Sequence, residues 1–381
     1  MRASGQQVYD LTLSNPTRCG FHYDAEALLR PLTDPRALVY DPDPQGLMVA
    51  REAVARYYAD HGAEVSPAQL MLTTSTSESY SFLFRLLCDP GDEVLVAQPS
   101  YPLFDFLADL DDVRLRPYPL FYDHGWWIDF AELERAITPK TRAILVVHPN
   151  NPTGHWTGLA ERELLEELCV RNGLTLIVDE VFLDYPLREL EPPPTSFTTG
   201  NHPALTFVLS GLSKIAGLPQ MKAAWIATLG PDGARSEALA RLEIVADTFL
   251  SMNAPVQLAL PRWLAGRKAI QEEIGGRARE NLALLEKIAG ESPGLLQVLQ
   301  VDAGWSAVLA LPRCVGEIDC AERLIRQRRV LAHPGSFYAM AERNRIVVSL
   351  IVPNREFDAG IQAAIAESPV VENLEVQDEQ E

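Results

Sequence analysis

Short, almost wholly apolar runs separated by amphipathic stretches dominate the middle of this chain. Glu93–Ala97, Ala143–Val147, Leu174–Val178 and Thr206–Leu209 are four such runs. Apolar residues at successive positions suit strands covered on both faces, as in a parallel sheet with helices above and below it. Helical patterns lie between them. The one from Ala160 to Arg171 stops at Asn172-Gly173, where a glycine can take the left-handed turn that ends a helix. Strand and helix alternate from about residue 45 to about residue 230, which predicts a doubly wound α/β domain.

The pattern then changes. Pro261 to Glu291 reads as one long helix or two in series. Apolar runs at Ala307–Leu311 and Ile346–Leu350 follow, with a helix at Cys320–Gln327 between them, so the C-terminal third predicts a smaller α+β domain. The first forty residues, interrupted by Pro16, Pro31 and Pro35, read as extended and are expected to pack on that part. The boundaries are therefore 41–265 for a large domain and 1–40 with 266–370 for a small one. Residues 371–381 form an acidic tail expected to be disordered.

Composition narrows the function. A chain of 381 residues, 47% hydrophobic, exceeds the ~250–300 residues that one core usually serves. Its net charge of −19 repels phosphate backbones and anionic lipid, so nucleic acid and membrane surfaces are not expected partners. No run approaches the ~20 apolar residues of a membrane span, and the N-terminus lacks a signal-peptide pattern, so a cytoplasmic place is expected. Five scattered cysteines without a CxxC fit reduced thiols better than a disulfide and give no metal signature.

Four polar stretches carry candidate chemistry. Thr73–Glu78 precedes an apolar helical pattern. Its hydroxyls read as N-caps or, with the free N–H groups there, as a phosphate seat. Asn150-Asn151-Pro152-Thr153-Gly154 follows a strand and is ordinary turn chemistry, placed where α/β ligands sit. Asp179 ends the next apolar run. It could cap a turn or hold a cationic ring nitrogen. Lys214 follows the last run in a short polar turn, and a lysine beneath apolar segments is a candidate for a depressed pKa and Schiff-base chemistry.

Asn151, then Asp179, then Lys214, each after a separate strand, is a far less accidental pattern than any one motif. It resembles the aspartate aminotransferase superfamily, class I and II enzymes of fold type I, from Leu11 to about Val352. The resemblance implies a three-layer α/β/α large domain with a mostly parallel sheet and pyridoxal 5′-phosphate as cofactor. It also implies transfer of an amino group between an L-amino acid and a 2-oxo acid in a homodimer with shared active sites. A β- or γ-lyase or a cyclising enzyme on the same cofactor is the alternative.

By position, the resemblance makes Lys214 the lysine that bonds the cofactor and moves the proton. Asp179 would hold the ring nitrogen, Asn151 the phenolic oxygen and substrate, and Tyr101 the ring face. Ser75, Thr76, Ser77 and Ser213 would surround the phosphate, with Tyr40 reaching it from the neighbouring subunit. Arg345, with Arg343 two residues away, would grip the substrate α-carboxylate beside Asn15. Three positions depart from the family. Lys222 stands for an arginine on the phosphate, Gly211 for a Ser or Thr, and Phe182 for a tyrosine at the cofactor.

Overall fold

The computed structural model describes residues 7–191, 195–311, 316–342 and 344–366. The expected acidic tail, 371–381, lies outside them. The chain opens with a two-residue strand, β1 (Tyr9–Asp10). It then builds an eight-stranded sheet from β2 (Leu70–Thr73), β3 (Glu93–Gln98), β4 (Arg114–Tyr122), β5 (Trp126–Ile128), β6 (Thr141–Val147), β7 (Thr175–Asp179), β8 (Thr206–Gly211) and β9 (Ala224–Leu229). The spatial order is 2-9-8-7-6-3-4-5. Strands β4, β3, β6, β7 and β8 run parallel to their neighbours in that series, whereas β9 opposes both β8 and β2, and β5 folds back on β4.

Alternation along the strands explains the two cores of this sheet. In β6, Ile144 and Val146 face one apolar cluster, and Ala143, Leu145 and Val147 face another. In β8, Val208 faces the first cluster, and Phe207 and Leu209 the second. Each face is covered by helices, so every position must be apolar, and the runs read in the sequence have that cause. The helix predicted at 160–171 spans Leu159–Asn172, and Gly173 ends it with φ 64°.

The smaller sheet holds β10 (Gln297–Val298), β11 (Ser306–Ala310), β13 (His333–Pro334) and β14 (Arg345–Ser349) in the order 10-11-14-13, while β12 (Val330–Leu331) pairs in parallel with β1. Its apolar cluster joins Leu309, Ile346 and Val348 to Ile274, Leu285 and Phe357 on the helices Arg267–Glu291 and Asn354–Ile365. Between the sheets, Ala254–Ala265 and Arg267–Glu291 are two helices in series, parted at Gly266.

Two expectations need correction. Residues 1–40 are not extended: Pro16–Arg18, Ala25–Leu29, Arg30–Thr33 and Pro35–Leu38 are short helical turns. Asn15, Asp24 and Asp34 cap three of them, and proline opens helical turns well because its φ is already set. Residues 30–38 pack on the helix Ala254–Ala265, and Trp263 donates its indole N–H to the Leu28 carbonyl at 3.0 Å. As expected, the segment also packs on the C-terminal part: β1 pairs with β12, Leu11, Cys19 and Phe21 join its apolar cluster, and Arg277 donates to the Cys19 carbonyl at 3.1 Å. The cysteines also differ from expectation. Cys320 is disulfide-bonded, whereas Cys19, Cys88 and Cys169 are free.

Gly154 fixes the Asn-Pro-Thr-Gly turn against the segment before β11. Its φ is 69°, and a Cβ there would lie 2.2 Å from Val301 Cγ2 and 2.6 Å from the Ala303 carbonyl oxygen. Gly154→Ala therefore combines left-handed strain with a backbone collision, and a loss of about 3 kcal/mol or more is expected in urea unfolding. Wild-type stability in that variant would show that residues 301–303 move aside freely.

Candidate active site

Tyr101 follows β3, Asn151 follows β6, Asp179 ends β7 and Lys214 follows β8. These four strands are immediate neighbours in the parallel part of the sheet, so four residues distant in sequence meet along one carboxyl edge. They line one cavity of about 530 Å³. Ser75, Thr76 and Ser77 line it from the start of the helix Thr76–Leu87, and Phe182, Ser213 and Lys222 also face it.

The groups differ sharply in chemistry. Burial lowers the pKa of Lys214, with the Asp179 charge opposing. Its Nζ lies 5.4 Å from the Trp305 ring centre and 5.7 Å from that of Phe182. Burial raises the pKa of Asp179, and hydrogen bonds from Tyr80 and the Val181 N–H, with the Lys214 charge, work against that rise. A desolvated amine thus shares the cavity with a desolvated carboxylate. Tyr185 donates to the Lys214 carbonyl oxygen at 2.6 Å, tying down the turn Leu212–Ile215. The Tyr185 hydroxyl is therefore spent and does not replace the one that Phe182 lacks.

At the helix start, Ser75 accepts from the Glu78 N–H as N-cap. First-turn N–H groups, the hydroxyls of Thr76 and Ser77, and the Lys222 ammonium together make a seat for an anion. Gly211 belongs to the same wall. A Cβ there would come within 2.9 Å of the Ala223 carbonyl oxygen and 3.0 Å of the Ala224 Cα, so the backbone entering β9 occupies the space that a serine would need.

Three expected residues stand apart. Asn15 does not line the cavity, because its Oδ1 accepts from the Thr17 N–H and Oγ1 in the turn that it caps. Thr12 and Ser14 line it instead. Arg345 opens β14 outside the lining, while Val347 and Ser349 of the same strand are in it. The Arg345 Nη1 donates to Asn344 Oδ1 at 3.1 Å, and its Nε is buried without a partner. Arg343 lies outside the described residues. Tyr40 is 83% exposed and borders a separate groove with Leu38 and Val39. Tyr80, His333 and Tyr338 were not legible as site residues in the sequence. His333 Nδ1 and the Tyr338 hydroxyl lie 3.0 Å apart at the cavity wall, and the chain positions carrying them hold no motif.

Next to Asp179, Glu180 points away from the cavity. Burial pushes its carboxyl up to about 7, against hydrogen bonds from Ser196 Oγ and the Phe197 N–H. A raised folded-state pKa gives stability that is complete below the ordinary value of 4.5 and lost as pH rises through about 7. Wild type should therefore lose up to about 3 kcal/mol relative to Glu180→Gln between pH 4.5 and 8. A difference that stays flat across that range in denaturant melts would contradict the assignment.

Comparison with known proteins gives one answer. A family model described as aminotransferase class I and II matches residues 20–359. The alanine aminotransferase of Mycobacterium tuberculosis (strain ATCC 25618 / H37Rv) is 29% identical over 339 residues, which cover 85% of this chain and 76% of that protein. The glutamate-pyruvate aminotransferase AlaA of Escherichia coli (strain K12) is 28% identical over 302 residues, covering 77% and 73%. The solved structure of an alanine aminotransferase from Pyrococcus furiosus has a TM-score of 0.86 at 22% identity, covering 96% of this chain and 93% of that one, a likeness of fold.

Proposed function

Since this chain belongs to the family of class I and II aminotransferases and is itself an aminotransferase, we propose that its cavity holds pyridoxal 5′-phosphate and that Lys214 is the reactive amine. The observation that carries this is the pairing of a desolvated amine and a desolvated carboxylate with an anion seat in one cavity. Those donors suit a phosphorylated pyridine ring: the helix start and Lys222 for its phosphate, Asp179 for its ring nitrogen, Asn151 for its phenolic oxygen and Tyr101 for its face. Bound there, the cofactor supplies a carbonyl that condenses with amines and a ring that draws electrons from the substrate.

The chain's own residues then have separate tasks. Lys214, whose charged form burial disfavours, is the nucleophile toward that carbonyl and later carries a proton to and from the substrate α-carbon. Asp179 stabilises positive charge on the ring nitrogen. Ser75, Thr76, Ser77 and Ser213 surround the phosphate, and Lys222 matches its charge without the fork of an arginine. Phe182 packs without donating. Arg345 is assigned to the substrate α-carboxylate, since its Nε lacks a partner and its strand borders the cavity. Asn15 serves through the turn that presents Ser14.

We assign residues 41–265 to a large domain and β1 with residues 266–366 to a small one, the short helical turns of 16–38 strapping the two. A homodimer is supported by Leu38, Val39 and Tyr40, which are 89%, 65% and 83% exposed. A second copy would cover them and bring its Tyr40 to the phosphate of the first. For a cytoplasmic setting, the three free thiols speak in favour and the Cys320 disulfide against. The named relatives make alanine, glutamate and their oxo acids the first substrates to try. Mixing holoenzyme with one amino acid and no oxo acid tests the reading. One equivalent of oxo acid should form per site, with nitrogen retained on the cofactor. Continuous release of ammonia would instead select the lyase alternative.

A further inference from the structure

The Asp179 carboxylate has both oxygens engaged by this chain. Its Oδ1 accepts from the Val181 N–H at 3.0 Å, a local turn contact, and its Oδ2 accepts from the Tyr80 hydroxyl at 2.7 Å. Tyr80 comes from the helix Thr76–Leu87, ninety-nine residues away, whose first turn forms the anion seat. Its ring is 2% exposed and is held edge-on by Phe104, with centroids 5.0 Å apart and planes at 72°. Tyr80 does not line the cavity, so nothing in the cavity competes for its hydroxyl. A tyrosine in the core of a helix packing on a sheet could be phenylalanine at no cost in shape. Here the hydroxyl has one acceptor.

We propose that Tyr80 is a positioning residue which holds Asp179 as a carboxylate, aimed from behind, so that it can keep a ring nitrogen protonated in front. The proposal rests on the assignment of Asp179 to the ring nitrogen of pyridoxal phosphate. Its physical basis is competition between burial and donors. A fully desolvated carboxyl prefers its proton, and a single short O–H···O⁻ bond is the strongest neutral donor available to oppose that. The charged or titratable groups acting on Asp179 are Lys214 from the turn after β8, Tyr101 from the loop after β3, Tyr58 from the helix Met48–Asp60 and Tyr80 itself. Lys214 alone among them can carry positive charge. When its amine is neutral or bonded to the cofactor, Tyr80 and the Val181 N–H are the donors that remain. The same bond ties the phosphate helix to β7, so the two ends of the cofactor site are set by one side chain.

The test uses holoenzyme reconstituted with pyridoxal 5′-phosphate labelled with ¹⁵N in the ring. In wild type at neutral pH the ring resonance should have the protonated shift. In Tyr80→Phe, which keeps the packing against Phe104, the proton should pass toward Asp179, and the ring resonance should move toward the unprotonated value. Loss of one hydrogen bond to a charged group corresponds to a displacement of about one to two pH units in that titration. A purely structural role would lower the melting temperature and leave the ring resonance where it is, and that result would overturn the proposal. Asp179→Asn is the control. If it too leaves the resonance unchanged, the assignment of Asp179 fails, and if wild type binds no cofactor, the whole reading of the cavity fails. Should Tyr80→Phe not retain cofactor, the apoprotein carries the same test. The infrared band of a protonated carboxyl, identified by its loss in Asp179→Asn, should persist to higher pH in Tyr80→Phe, and an unmoved band would overturn the proposal.

Discussion

Lys214→Ala is expected to lower the rate of amino transfer by ~10²–10⁴-fold or more, because it removes both the nucleophile and the group that moves the substrate proton. The fold should survive. Burial disfavours the charged form of this amine, so its removal relieves a desolvation cost. The losses are the contacts over Phe182 and Trp305 and a small void. Tyr185 bonds the backbone carbonyl of residue 214, which alanine retains, so the turn keeps its anchor. Melting curves should nearly superpose while turnover disappears. Lys222→Ala should do the reverse in kind, weakening cofactor affinity while leaving measurable rate in saturated enzyme.

Asp179→Asn is expected to cost about 10²–10³-fold in rate, the usual scale for losing one preorganised electrostatic contact to charge that develops during reaction. Asparagine keeps the shape and can still accept from Tyr80 or from the Val181 N–H, so cofactor occupancy should fall much less than rate. The comparison separates charge from shape. Full activity in Asp179→Asn would mean that the carboxylate charge plays no part, and the roles of both Asp179 and Tyr80 would have to be withdrawn.

The eight-stranded sheet was legible in the sequence because helices cover both of its faces. Strands β3, β6, β7 and β8 therefore appear as unbroken apolar runs, and their carboxyl ends were identifiable from the sequence. Strand β4, Arg114–Tyr122, was hidden by alternating polar residues and two prolines, as expected where one face is open and an edge is near. The N-terminal segment misled for a related reason. Prolines that signal extended chain in isolation serve here as first residues of capped turns.

The site divides along the same line. Lys214, Asp179, Asn151 and Tyr101 were readable because each follows a strand end in an ordered motif. The hydroxyl of Tyr80 was not readable. Within Tyr80–Leu87 it occupies an apolar helical position, and its single acceptor is contributed by a strand that the local pattern cannot place beside it. His333 and Tyr338 were equally silent in function. They reach the cavity only because the small sheet folds over the carboxyl edge of the large one. Residues that depend on one strand end show in sequence, and residues that depend on the meeting of two elements do not.

The central claim is that Lys214, and no other amine, bonds the cofactor. Purified protein loaded with pyridoxal 5′-phosphate and reduced with borohydride, then digested and analysed by mass spectrometry, tests it directly. The account predicts one added phosphopyridoxyl group per chain, on the peptide containing residue 214, and none in Lys214→Ala. Modification at Lys222, or no stable modification in the wild type, would contradict it.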